Sequence, residues 1–180
     1  MPSRDRGKAK GRRGTSTFAA LPHSIFRAQG QTPPPAAALS KTARCFLADV
    51  AQQINGKNNG NLSAAPKIME LYGWTSRGTL DAALVESVAL GFLEQTRQGG
   101  RNRCSLYAMT WLGIDEGPHD AMPNPVPSNL WKPENAHKRN QAFVARLERL
   151  KARRRQNTSS HYSDKPSRYS DKPVTLKAVK

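Results

Sequence analysis

Cysteine is nearly missing: 180 residues hold only Cys45 and Cys104. That excludes a disulfide framework and a cysteine-built metal site, and with no secretory apolar core it points to a reducing interior. Histidine is just as sparse. His23, His119, His137 and His161 lie far apart, so no paired ligands for a metal-dependent nicking reaction and no zinc cluster can be drawn. Asp115 and Glu116 adjoin but have no third ligand, and read as a solvated pair. No apolar run approaches the roughly 18 residues of a membrane span. The sequence therefore predicts a soluble, cytoplasmic protein that is not an enzyme and takes no cofactor or metal.

Acids are the third scarcity: 13 Asp and Glu face 29 Lys and Arg, for a net charge of +16 and a pI near 10.5. Such an excess implies a polyanionic partner. It is unevenly spread. Residues 1–39 carry seven cations against one acid, 40–112 eight against five, and 113–180 fourteen against seven. Most of the charge sits in the flanks of a mildly basic centre.

What is present divides the chain into six parts. Residues 1–17 form a basic arm without apolar periodicity, expected to be disordered, and lack the apolar helical face of a mitochondrial presequence. Residues 18–39 pair a short docking segment around Leu21, Ile25 and Phe26 with a stiff linker through Pro33, Pro34 and Pro35. Residues 40–114 form the globular domain, and 115–133 a second Pro-rich linker in which Leu130 and Trp131 can dock. Residues 134–156 make a basic amphipathic helix lined by Phe143, Leu147 and Leu150, able to fold on nucleic acid, lie on an anionic membrane or pair with itself. Residues 157–180 are a tail with Tyr162-Ser163-Asp164-Lys165-Pro166 repeated as Tyr169-Ser170-Asp171-Lys172-Pro173. Two copies make no solenoid.

Within the domain, Ala43, Phe46, Leu47, Val50, Ala51 and Ile54 mark one face of a helix, with Cys45 expected as a small core residue. The loop from Asn55 to Asn61 is rich in residues that tolerate positive φ; its Lys57 is followed by Asn58, so it is no phosphate loop, but Lys57 can touch a nucleic-acid backbone. A short strand at Leu62 precedes a helix expected to start at Ser63 and to carry Ile68, Leu71 and Tyr72. Gly73 ends it, and Thr75 or Ser76 caps the next helix. That helix places Leu80, Ala83, Leu84, Ser87 and Val88 inward. Arg77, Gly78, Ala82, Val85, Glu86 and Ala89 are left outward. Phe92 to Arg97 and Cys104 to Trp111 read as a hairpin around a basic tip.

The order helix, strand, helix, helix, strand, basic loop, strand is that of a small α+β winged helix-turn-helix domain. In such a reader the early turns of the second helix enter the major groove, which nominates Ser76, Arg77 and Thr79, with Asp81 and Glu86 facing phosphate unfavourably. The hairpin tip adds Arg97, Arg101, Asn102 and Arg103 as phosphate or minor-groove contacts. The motifs Asn55 to Leu62, Gly73-Trp74 with Ser76 and Thr79-Leu80, Gly91-Phe92, Thr96 to Arg101 and Tyr107 to Trp111 together resemble small helix-turn-helix proteins of proteobacterial plasmids and integrated elements. The likeness spans residues 21–116. It implies a winged-helix fold and a mobile-element setting in a bacterial cytoplasm, at the nucleoid or a plasmid.

The expected partner is double-stranded DNA, in transcriptional regulation or in replication and maintenance of the element, with a homodimer as one possible state. An interaction module docking a replication or partition protein through Ala82, Val85 and Ala89 is the rival reading. Non-specific RNA binding through the arms is the third, though aromatic stacking platforms are lacking.

Overall fold

The computed structural model of the chain describes residues 21–163, without the side chains of 157–163. The arm over 1–17 and the tail from 164 on lie outside the described residues. Helices α1 (His23–Phe26), α2 (Lys41–Ala51), α3 (Pro66–Met69), α4 (Arg77–Ala89) and α5 (Gln141–Ser163) accompany one antiparallel sheet of β1 (Leu93–Arg97) and β2 (Leu106–Met109). The chain is an α+β protein.

Helix α2 forms as its periodicity predicts. Ser40 caps it by accepting from the Ala43 amide, and Ala43, Phe46, Leu47, Val50 and Ala51 are buried. Cys45 is exposed, contrary to expectation, because it falls between the core positions on the helix wheel. Phe46 meets Trp74 edge-on at 5.7 Å, and the Trp74 indole donates to Asp49 Oδ2 at 2.8 Å. This contact fixes the chain just before α4 against α2.

The Asn-Gly loop is more than a turn. Asn59 is buried; its Nδ2 donates to the carbonyls of Met109 and Gly113 at 3.0 and 2.8 Å, and its Oδ1 accepts from the Met109 amide at 2.7 Å. One side chain therefore closes the backbone groups that β2 leaves open at its end. Just beyond, Leu62 and Tyr107 exchange both backbone hydrogen bonds, which adds a one-residue third strand beside β2.

The next helix does not start at Ser63. The Ser63 hydroxyl accepts from the Ala65 amide instead, and α3 begins at Pro66, whose missing N–H suits a first position. It is one α turn continued by a 3-10 turn over Glu70–Tyr72, ended by Gly73 at φ 86°. Only Met69 of this stretch is buried. Ile68 and Tyr72 are partly exposed and Leu71 is 85% exposed, so the spacing that suggested a core face points outward.

Helix α4 buries Leu80, Ala83, Ser87 and Val88 in the main core as expected, but Val85 and Ala89 are buried too, at 0% and 2% exposure. Their cover is α5, which packs Phe143, Val144, Leu147 and Leu150 over them. The outward face of α4 is thus an internal seam. The charged residues expected to repel phosphate are used up as well: Asp81 pairs with Arg146 at 2.6 Å, and Glu86 accepts from the Ser40 amide and hydroxyl at 2.6 and 2.8 Å.

The two Pro-rich stretches read as linkers are packed. Ala36 and Leu39 join Ile25 in the main core around a 3-10 turn at Pro35–Ala38. Between Ile114 and Trp131 the chain runs back over the hairpin. Ile114 pairs with Asn124, the Asp120 amide donates to the Thr96 carbonyl at 3.0 Å, and the Asn129 amide donates to that of Thr110 at 2.7 Å. Leu106, Tyr107, Ala108 and Met109 are all buried, where a one-sided sheet would alternate, so both faces of β2 are covered. Gly91, at φ 80°, lies against the Leu130 carbonyl with no room for a Cβ. Arg139 then donates to the Leu130 and Trp131 carbonyls at 2.8 and 3.1 Å and ties the strap to the start of α5. Burial lowers the Arg139 pKa from its ordinary value.

Candidate nucleic-acid interface

The sequence nominated three residues in the first turn of α4, four in the hairpin and Lys57. The first turn forms because Ser76 caps it: its Oγ accepts from the Thr79 amide at 3.3 Å and from the Thr79 hydroxyl at 3.0 Å. The cap thus uses the Ser76 oxygen as acceptor and the Thr79 hydroxyl proton, leaving the Ser76 O–H donor and a Thr79 acceptor site on exposed residues. Arg77 is exposed beside them. It borders a cleft of about 310 Å³ with Ala65, Pro66, Asp81, Cys104 and Tyr107, which brings the start of α4 and the root of β2 to a common edge. Burial is the main cause that raises the Tyr107 phenol above its ordinary pKa. Lys57 is exposed on the Asn-Gly loop and does not line this cleft.

The hairpin arginines divide. Arg97 is folded back on the protein: Nε and Nη2 each donate to the Cys104 carbonyl at 3.1 Å, and Nη1 donates to the Pro118 carbonyl at 2.9 Å. It laces β1 to the far arm of the hairpin and to the strap. Arg103 pairs with Asp120 at 2.9 Å, with both side chains more than half exposed. Arg101 and Asn102 stand exposed at the tip, in a turn where Gly100 and Arg103 exchange backbone hydrogen bonds and Asn102 takes φ 63°. Of the four, Arg97 and Arg103 are committed to the fold and Arg101 and Asn102 face solvent.

The residues not nominated are on α5. Its apolar positions at 143, 147 and 150 face α4, so at 100° per residue Arg153, one turn on from Arg149, lies on the flank that Arg146 also occupies, while Arg149 falls on the far side. Both are exposed, and Ala145 and Ala152 share that side. The one acid among the described side chains of α5, Glu148, is held by Lys151 at 2.9 Å. Arg154 points instead toward the seam, where it borders a hollow with Ser40, Gly78, Thr79 and Ala82. Helix α5 thus runs antiparallel to α4, with Phe143 near Leu90 and Arg154 near Thr79. Its 23 residues rise about 35 Å against about 20 Å for the 13 of α4, so its last turns overrun the start of α4. The 3.6-residue spacing of Phe143, Leu147 and Leu150 was legible as a stripe; that it sits on α4 was not.

No helix of the described residues is long and apolar enough to cross a membrane. Comparison with protein-family models, with curated proteins and with solved structures finds no match.

Proposed function

We propose that this chain is a double-stranded DNA-binding protein of winged helix-turn-helix type, from a bacterial plasmid or integrated element. Its role is transcriptional control or replication and maintenance of that element. The observation that carries the reading is the order and pairing of its parts: α2, the single-residue strand at Leu62 bonded to β2, α3 and α4 about Gly73, then a hairpin with Arg101 at its tip. A net charge of +16 supports it, since such an excess of cations favours a polyanionic partner. In this reading Arg101 and Asn102 at the tip and Arg77 beside α4 contact the backbone, while Arg97 and Arg103 shape the hairpin.

The test is a titration of the full chain against labelled duplexes across a salt series. Affinity is expected to fall steeply, with a log-log slope of about −0.9 for each phosphate neutralised. Absence of duplex binding even in dilute buffer ends the proposal. A protein-docking role is a second reading, favoured by Leu71, 85% exposed beside Ile68 and Tyr72. Capture of a replication or partition protein that survives nuclease and is lost in Leu71→Lys supports it.

A further inference from the structure

We infer that α5, rather than α4, is the helix this protein inserts into the major groove. This rests on the DNA-binding reading and names the element that carries it. Three features of the structure converge.

First, α4 is not accessible as a groove helix. Its face opposite the core, at Ala82, Val85 and Ala89, lies beneath α5, and what remains open is the capping turn of Ser76 to Thr79. A helix about 10–12 Å across fills a groove about 12 Å wide, so with α5 packed along it α4 cannot lie lengthwise in the groove and offers only its first turn.

Second, α5 is built as such a helix needs to be. Its apolar stripe is consumed by α4, which removes the face that lodging in a membrane surface would require. Its far side carries Arg149 between Ala145 and Ala152, and Arg153 follows one turn on, rotated about 40° toward the flank of Arg146. Paired guanidinium groups with small apolar neighbours are the side chains that read guanine edges and thymine methyls. Arg146, on the flank, pairs with Asp81, and Lys151 with Glu148, whereas Arg149 and Arg153 have no acidic partner among the described ion pairs, and Arg155 stands exposed on the other flank.

Third, the helix is braced. Val85 and Ala89 anchor its middle, and Arg139 fastens its root to the strap carbonyls. Presenting a pre-formed helix avoids the ordering cost that a free basic segment meets on binding.

The experiment compares full-length wild type with Arg149→Ala/Arg153→Ala and with Arg149→Lys/Arg153→Lys, on duplex DNA selected by the wild type and on an RNA duplex of the same sequence. Both side chains are exposed, so unchanged circular dichroism and melting are expected in each variant. The alanine pair is expected to weaken DNA binding at least about tenfold and to reduce the salt slope by about two. The lysine pair keeps the slope but loses preference for the selected sequence over a scrambled one, because an ammonium cannot bridge two acceptors of one base. The RNA duplex, whose major groove is too narrow for a helix, binds at least about tenfold more weakly than the DNA. Wild-type binding by the alanine pair, or equal affinity for the RNA duplex, overturns the inference and leaves the DNA-binding proposal standing. No duplex binding by the wild type overturns both.

Discussion

The arginines of the hairpin and those of α5 make opposite use of the same side chain. Arg97 places its donors on the carbonyls of Cys104 and Pro118, and Arg103 turns to Asp120. Arg149 and Arg153 sit on a regular helix whose carbonyls are mostly satisfied within the helix; Arg149 Nε gives only a long 3.4 Å bond to the Ala145 carbonyl of the same helix, and both residues are exposed. The contrast teaches that a cation beside irregular backbone is drawn into the fold. Loops and hairpin ends leave carbonyls without partners, and a five-donor guanidinium satisfies several at once. Arg139 repeats the lesson at the root of α5, on the carbonyls of Leu130 and Trp131.

The largest effect is expected from breaking the support that makes the two regions different. Val85→Asp puts a carboxylate where Leu147 and its apolar neighbours close the seam. It should cost about 3 kcal/mol in urea unfolding and open α5 to proteolysis within 141–156. If α5 stays protected, its docking does not depend on that seam. Next is Arg97→Ala, expected to lose about 1–2 kcal/mol of stability while leaving the salt slope of DNA binding unchanged. Arg153→Ala should do the reverse, with stability within about 0.5 kcal/mol of wild type and a shallower slope. A result in which both variants behave alike would dissolve the comparison. Smaller still, a double-mutant cycle on Arg103 and Asp120 should report a coupling of about 0–1 kcal/mol, because both side chains are more than half exposed.

The last prediction concerns an acid in the hairpin. Burial raises the Glu94 carboxyl above its ordinary value, partly opposed by the Ser128 hydroxyl, which donates to its Oε1 at 2.8 Å. A raised acid binds its proton more tightly in the folded state. Its stabilising share is full below the ordinary glutamate pKa and is lost as the pH rises toward the folded value. Glu94→Gln keeps an acceptor for Ser128 and removes the buried charge. Stability measured across pH 4 to 7 should lose that descending component, and an unchanged profile would show that Glu94 is adequately solvated.

Much of the frame was legible along the chain. The core face of α2, the cap at Ser76, the stop at Gly73, the inward face of α4 and the hairpin each follow from residues within a few positions of one another. The misreadings have one source, which is cover supplied by distant residues. Ile68 and Leu71 repeat at helical spacing, but α3 is too short to turn both inward, and Met69 alone reaches the core. The proline-rich run after Ile114 looked unstructured because its order comes from hydrogen bonds to the hairpin, and none is marked by local periodicity. Asn59 reads locally as a turn former, yet it lies 50 residues from the Met109 backbone that it completes.

Among the nominated contacts, Arg101 and Asn102 remained at the surface, and Arg77 lies open at the head of α4. Arg149 and Arg153 could have been found by projecting away from the Phe143, Leu147 and Leu150 stripe, a signal diluted by the abundance of cations around it.

By itself, the amino-acid order determined where α2 and α4 form and that an apolar stripe runs along the basic C-terminal helix. Those are properties of side chains three and four positions apart, and the helix repeat converts them into faces. That C-terminal helix was expected over 134–156 and instead starts at Gln141 after a 3-10 turn over Pro133–Lys138. Only the tertiary structure decided which faces meet and which charges are spent. Asp81 and Arg146 are 65 residues apart, and Arg97 and Pro118 are 21, so no local rule relates them. A second apolar face on α4 must be hidden from water, and α5 had the one stripe long enough to hide it. That packing turned an outward helix face into interior and left the far side of α5, with Arg149, exposed.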